Sequence, residues 1–489
     1  MWKRNLLFAG VIVAGLIALT AGLLPRRTPA RARHFDPAEA QSDDFRAAVA
    51  RVDAALYPRW TESQQVQIGG ALAGAPQGPL HALPWLNVPA EPALPLAPPA
   101  ADLVVARRLA LALTGTIPSL QDIRQFEAQP PGQRLDWYLA VLLEDRRFGD
   151  YLAERLARAY VGTEAGPFIV FRRRRLVTWL SDQVMANRPY DELARELMTA
   201  QGLWTDRPAT NFITATVDQA NQKGPDPERL AARTARAFLG LRLDCAQCHD
   251  HFLEPAWKQT DFQSLAAFFG QTRQVVTHVS DGGGEYSYKD RVSGGSHEIA
   301  PAVPFLPELL PADGTRRERL ARWLTDPANV YFARAMVNRV WAMLFDRPLL
   351  KRVEAQSLEE PIPPSLEILA KDFAAHGHDL RRLILLIAST EVFRLDSAAP
   401  HEITEAHERA WAAFPVTRLR PEQVIGAVIQ SASVRTINQS SHVFVRLARY
   451  FNERDFVKRY GDADDEEFGG GGGTVPQRLL MMNGELVNG

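Results

Sequence analysis

At 489 residues the chain is longer than one ordinary domain, so two or three hydrophobic cores are expected. Its 56 Lys and Arg balance 57 Asp and Glu, which excludes the broad basic field that a nucleic-acid surface needs. Two cysteines exclude a small disulfide-framed scaffold.

In chain order, Lys3 and Arg4 precede the uncharged run "NLLFAGVIVAGLIALTAGLL", ended by Pro25. Such a run is long enough to span a bilayer and longer than the usual apolar core of a signal peptide. Ala30-Arg31-Ala32 nevertheless has the small-x-small form of a cleavage site. Residues 1–25 therefore read equally as a membrane anchor or a cleaved signal. Both place the body of the chain in the periplasm or cell envelope, membrane-anchored or secreted. Residues 26–101 read as a Pro/Ala-rich linker and connector. The stretch "GAPQGPLHALPWLNVPAEPALPLAPPAA" carries too many prolines for a regular element, while a short helix is expected over 45–56.

From Asp102 the apolar residues recur at helical spacing. "ADLVVARRLALALTG" ends at Gly115, a C-cap residue, and "SLQDIRQFEAQ" opens with Ser119 and Asp122 in the spacing of a capping box. Further helical stripes follow in "QRLDWYLAVLLED", "RRFGDYLAERLARAYVG", "RRRRLVTWLSDQVMAN" and "YDELARELMTAQG". "NFITATV" is the best strand candidate. Residues 102–275 thus read as one helical domain, 276–310 as a polar Gly-rich linker with loops or hairpins, and 311–489 as a second helical domain. The fold class expected is mainly α: two helical domains, long Pro/Gly-rich connectors and an N-terminal hydrophobic helix.

Both cysteines stand in "LDCAQCHDHF", between two helical segments. Cys245-Ala246-Gln247-Cys248-His249 has the spacing of a c-type haem attachment site. Two thiols three apart on a turn can each add to a haem vinyl, and the next residue offers an imidazole to the iron. On this reading Cys245, Cys248 and His249 bind haem c, with His249 on the iron. A zinc site would use Cys245, Cys248, His249 and His251. A redox dithiol fits less well, since the flanks are helical rather than βαβ, and a plain disulfide is a further reading. Asp250 and His251 also suit capping of the next helix. A second axial ligand would come from His278, His297, His442, Met481 or Met482, each more ordinary as a surface or core residue.

Elsewhere the sequence is quieter. The four arginines 172–175 suit ion pairs first and haem propionates or phosphate second. Asn338, Arg339 and Trp341 suit a helix core with one buried polar contact, and the acidic run 462–468 lacks calcium-loop spacing. No nucleophile elbow, phosphate-binding loop, dinucleotide fingerprint or His-Glu-x-x-His occurs, so no catalytic set is supplied.

Taken together, "LALALTGTIPSLQDIRQF", "LLEDRRFGDYLAERLARAYV", "NRPYDELARELM" and "FLGLRLDCAQCHDHFLEPAWKQTDFQSLAAFFGQT" resemble the planctomycete-type cytochrome-c-like domain. "LARWLTDPANVYFARAMVNRVWAMLFDRPLL", "HGHDLRRLILLIASTEVFRLDS" and "QRLLMMNGELV" resemble the planctomycete-specific domain that usually follows it. The resemblance spans roughly residues 100–489. It implies export, and members often occur beside sulfatase-like secreted proteins, so the partner expected is such a protein or a redox partner, not nucleic acid. Cys245, Cys248, His249, Asp250 and His251 match the first family's Cys-x-x-Cys-His-Asp-His. Trp257, Asp261, Phe268 and Phe269 match its downstream helix, and Asn338, Arg339 and Trp341 the second family's Asn-Arg-x-Trp. Phe252 replaces the usual proline after the second histidine, and Asn329-Val330 and Pro363-Pro364 also depart from the pattern.

Overall fold

The computed structural model describes residues 42–56, 94–163, 173–203, 206–217, 224–250, 257–275, 278–289, 294–356, 360–438, 441 and 456. The expected N-terminal helix, most of the proline connector, His251, Phe252, His442, Met481, Met482 and the acidic run 462–468 lie outside them. Among the described residues there are 17 α-helices and few strands, so the protein is mainly α. None of those helices is long and apolar enough to cross a membrane.

The helices are α1 (Asp43–Leu56), α2 (Asp102–Thr114), α3 (Leu120–Glu127), α4 (Arg134–Glu144), α5 (Arg146–Val161), α6 (Arg173–Met185) and α7 (Tyr190–Thr199). After strand β1 (Gly202–Leu203) come α8 (Asn211–Thr214), α9 (Pro227–Thr234) and α10 (Gln259–Ala266). Strands β2 (Thr272–Val275), β3 (His278–Asp281), β4 (Ser287–Lys289) and β5 (Ser296–Glu298) precede α11 (Arg316–Leu324), α12 (Val330–Phe345) and α13 (Pro364–Ala375). The remaining helices are α14 (Leu380–Ser389), α15 (Glu391–Arg394), α16 (Glu405–Arg409) and α17 (Pro421–Ser431). Local chemistry sets their ends. Gly115 stops α2 in the left-handed conformation, and Ser119 and Asp122 close a reciprocal capping box on α3. "NFITATV" is helical instead of extended over Asn211–Thr214. A turn opened by Pro208 feeds it, with Asn211 Nδ2 donating to the Pro208 carbonyl at 2.8 Å and Phe212 and Ile213 buried. Tertiary burial here overrides β-propensity.

The chain forms two compact units, each discontinuous in sequence. One collects the described residues within 152–329, the other those within 34–151 and 330–489. In the first, α9 packs on α10 and α7 on α11. Phe238 centres an aromatic core with Tyr160, Tyr190 and Phe212. Strands β1, β3 and β2 make an antiparallel sheet in that order, and β4 pairs with β5, so the polar Gly-rich stretch is built of hairpins. Arg317, almost fully buried on α11, donates to Asp281 Oδ1 at 2.7 Å and to the Met198 and Ala200 carbonyls at 2.9 and 3.1 Å.

In the second unit α12 is buried nearly all round, as a helix that is apolar on every face must be. Trp341 and Phe345 stack at 4.4 Å, and Trp411, Phe393 and Phe414 complete the cluster through edge and stacked contacts with Phe345. Asn338 supplies the expected buried polar contact. Its Oδ1 accepts from the Leu349 and Leu350 amides at 2.8 and 3.2 Å, fixing the loop after the helix.

Helix α1 lies on α13 and α14. Its Asp53 is buried and accepts from the Glu391 amide at 3.0 Å, and burial pushes its carboxyl up to about 8. An acid raised above its unfolded value gives stability that is fully present below that value. That stability is lost as pH rises through about 8. Stability to unfolding should therefore fall between about pH 4 and 8, by at most about 1.4 kcal/mol per pH unit from this group. Asp53→Asn, which keeps an acceptor for Glu391, should flatten that slope in urea titrations run across the range. An unchanged slope would show that Asp53 does not titrate there.

Candidate functional site

The approach to the cysteines is built by α9. Asp226 caps it, its carboxylate accepting from the Glu228 and Arg229 amides at 3.0 and 3.2 Å, and Pro227 occupies the first turn. The helix then widens into a π-turn over Ala235–Leu239, closed by the Leu241 amide on the Ala235 carbonyl at 3.1 Å, with Gly240 left-handed. Such π-turns gather at functional sites. After Leu241, Arg242 and Leu243, Asp244–Gln247 forms a single tight turn, with the Ala246 amide on the Leu243 carbonyl at 2.9 Å. Cys248 continues it with near-helical angles, so the two cysteines sit at the two ends of one turn.

Cys248 is half-buried and carries a free thiol. His249 is exposed, and its Nδ1 lies 2.7 Å from the Asp250 carbonyl oxygen. A carbonyl only accepts, so Nδ1 carries a proton and Nε2 is the ring nitrogen left for a ligand. Metal-ligating histidines are commonly fixed in this way. Asp250 caps the next helix, as its sequence position suggests. Its Oδ1 accepts from the amide of Gln259, the first residue of α10, at 2.9 Å.

A polar network holds the turn from below. The Gln247 carbonyl accepts from Gln259 Nε2 at 3.2 Å and from Gln263 Nε2 at 3.1 Å. Glu228 accepts from the Gln247 and Gln263 amides, the latter at 2.9 Å, and the Tyr286 hydroxyl donates to Gln263 Oε1 at 2.8 Å. Burial, with Glu228 and Asp226 nearby, pushes the Tyr286 phenol well above its ordinary value. Buried Trp257 leads from the motif to Phe305 at 6.3 Å, and Phe305 to Trp323 at 5.1 Å. Phe268 and Phe269 are core residues, and Asp261 accepts from the Lys258 amide at 3.0 Å at the start of α10.

The residues present fit both haem and metal chemistry. A turn separating two cysteines, a free half-buried thiol and an imidazole with Nε2 open are the donors that c-type attachment requires. Among the described residues no third ligand joins Cys248 and His249 in a metal-sized cluster. The side chain of Cys245 and the whole of His251, which complete the zinc set, lie outside those residues. His278 and His297 stand exposed on β3 and β5, with His297 tilted against Tyr288. Of the four arginines, Arg173 makes a two-armed pair with Glu154 at 2.8 Å on each side. Arg174 and Arg175 are also engaged, and Arg172 is outside the described residues.

A different cluster carries ligand-type groups in the second unit. Asp44, Asp372 and His376 bring their ligand atoms within 4.8 Å of one another. The position between the carboxylates is taken by a cation already. Arg382 donates to both Asp372 oxygens at 2.9 Å and to Asp44 Oδ2 at 2.7 Å. Sequence reasoning found neither this cluster nor the Glu228–Gln247–Gln263–Tyr286 network. Asp372 and His376 stand only four apart at the end of α13, but Asp44 joins Arg382 from 338 residues away, and the bonded pairs of the Glu228–Gln247–Gln263–Tyr286 network lie 16 or more apart.

The fold and this turn define a mainly helical protein with a thiol–imidazole motif between two helices. Residues 88–274 match the family model PSCyt2, "Protein of unknown function (DUF1549)", and residues 316–456 match PSD1, "Protein of unknown function (DUF1553)". The chain therefore carries the planctomycete-type domain pair. No curated protein and no solved structure matches it.

Proposed function

We propose that the protein is an exported c-type haem protein with an electron-transfer or redox-sensing role, tethered or directed to the cell envelope by residues 1–25. The observation that supports this reading is the His249 ring, exposed at the end of the cysteine turn, whose Nδ1 lies 2.7 Å from the Asp250 carbonyl oxygen and so leaves Nε2 as the nitrogen for a ligand. Cys245 and Cys248 would hold the group and His249 would ligate its iron, which when bound supplies one-electron chemistry. Glu228, Gln259 and Gln263 fix the turn through Gln247, so thiols and imidazole are presented with little reorganisation. The partner on this reading is a redox protein, or a sulfatase-like secreted protein, of the envelope.

The polar network itself favours a second reading. Because hydrogen bonds from Gln259 and Gln263 and to Glu228 hold the turn at Gln247, the site also suits a structural zinc (Cys245, Cys248, His249, His251) or a disulfide clip in a haem-free envelope binding or assembly protein.

The test is full-length protein exported in cells carrying the haem-attachment machinery. Intact mass should rise by one haem, with a c-type pyridine-haemochrome spectrum, and both should vanish in Cys245→Ala and Cys248→Ala. His249→Ala should retain the added mass and the haemochrome spectrum but alter the visible spectrum of the protein before pyridine is added. A colourless protein of unmodified mass sinks the haem reading, and one equivalent of zinc in that protein supports the second.

A further inference from the structure

Beside the cysteine turn stands a charge cluster left incomplete by the described residues. Arg236 lies on the π-turn, Arg242 follows Gly240 by two residues, and Asp244 opens the turn that carries Cys245. The Nε atoms of both arginines lie 3.7 Å from the same oxygen, Asp244 Oδ2. That distance is too long for a hydrogen bond, and Oδ2 is a buried atom with no hydrogen-bond partner. Arg229, Arg394 and Arg409 stand at similar distances from one carboxylate each, at 3.8, 3.6 and 3.7 Å, but here two guanidinium groups face a single oxygen. Arg236 and Arg242 share one carboxylate at arm's length, and neither donates a hydrogen bond to another described residue. Each guanidinium offers five N–H donors in a planar fork, and two of them beside one carboxylate leave a net positive charge.

We infer that Arg236 and Arg242 form an oxoanion-binding pair at the foot of the cysteine turn, with the Asp244 carboxylate as the internal anion that both guanidinium groups face. The ligand class is a carboxylate or phosphate whose oxygens accept from both forks. Its assignment to the carboxylates at the edge of a bound haem rests on the function proposed above; the pair itself does not.

The experiment separates the two. Full-length protein made without the attachment machinery is titrated with inorganic phosphate at low ionic strength, where charge-assisted contacts are least screened, and binding is followed by calorimetry. One saturable phosphate is expected, bound at least tenfold more weakly by Arg236→Gln/Arg242→Gln. Asp244→Asn, which removes the competing negative charge, should bind several-fold more tightly, a gain that misfolding cannot imitate. Absence of saturable binding, or binding unchanged in the double variant, overturns the pair. In haem-loaded protein the pair should no longer take phosphate. If loaded protein still binds phosphate as before, the haem-carboxylate assignment is overturned and a free phosphate is the ligand. If no haem attaches while phosphate binds and the variants behave as stated, the haem reading fails and the pair stands.

Discussion

Arg382→Ala is expected to cost about 3–5 kcal/mol of stability, the range for removing one partner of a buried ion pair. Arg382 and Asp372 are both more than nine-tenths buried and joined by two hydrogen bonds of 2.9 Å. Alanine would leave the Asp372 carboxylate in the interior with only the partial help of His376 Nδ1 at 3.4 Å. The same guanidinium reaches Asp44 at the start of α1, and its hydrogen bond holds the Asp44 carboxyl below the usual carboxylate range. The variant should thus also loosen α1, seen as faster proteolysis near residues 43–56 before global unfolding. A compensating pair, Asp372→Leu with Arg382→Met, should recover most of the loss, because the penalty is the orphaned charge more than the lost attraction. Urea unfolding of the parent and the two variants decides this. A single variant within about 0.5 kcal/mol of the parent would show that the pair is not buried in solution.

Gly426→Ala is the second large effect. A Cβ at this position of α17 would lie 2.3 Å from the Gly115 carbonyl oxygen and 3.4 Å from Thr116 Cβ. The helix backbone packs directly on the end of α2: Thr116 Oγ1 donates to the Gly426 carbonyl at 2.8 Å, and Gln423 Nε2 to the Leu111 carbonyl at 3.0 Å. Alanine gains about 1 kcal/mol of helix propensity over glycine, but the obstacle is backbone and cannot rotate away. Overpacking of this kind costs about 1–3 kcal/mol or more, so a net loss of about 2 kcal/mol is expected in thermal or urea unfolding. Gly224→Ala, with nothing within 4 Å of the added atom, should change stability by less than about 0.5 kcal/mol. Equal behaviour of the two variants would contradict the close approach of α17 to Gly115.

Much of the local structure was legible because its causes are local. The Ser119–Asp122 capping box, the helix stop at Gly115 and the short helix expected over 45–56, which runs Asp43–Leu56, each follow from residues within a few positions of one another. The reading of Asn338 as a buried polar contact in a helix core also holds, because a polar residue inside an apolar periodicity must find backbone partners. "NFITATV" misled for the complementary reason: its β-branched residues are buried by distant helices, and packing outweighed propensity. Within the motif, the spacing of Cys245, Cys248 and His249 was plain, as was a capping role for Asp250. The protonated nitrogen of His249 was not, because it depends on which carbonyl its ring meets.

The sequence by itself determined a mainly helical protein, several helix ends, and the one Cys-x-x-Cys-His stretch on which the proposed function rests. These rest on periodicity, caps and the chemistry of neighbouring residues, which act over a few positions. Only the tertiary structure decided how the chain is shared between two discontinuous units, how Arg382 closes the Asp44–Asp372–His376 cluster, and how Glu228 and Gln263 brace the cysteine turn. It also placed Arg236 and Arg242 on one carboxylate oxygen beside Cys245. Such arrangements depend on burial and on side chains meeting from separate elements, and no pattern along a single chain encodes that distance.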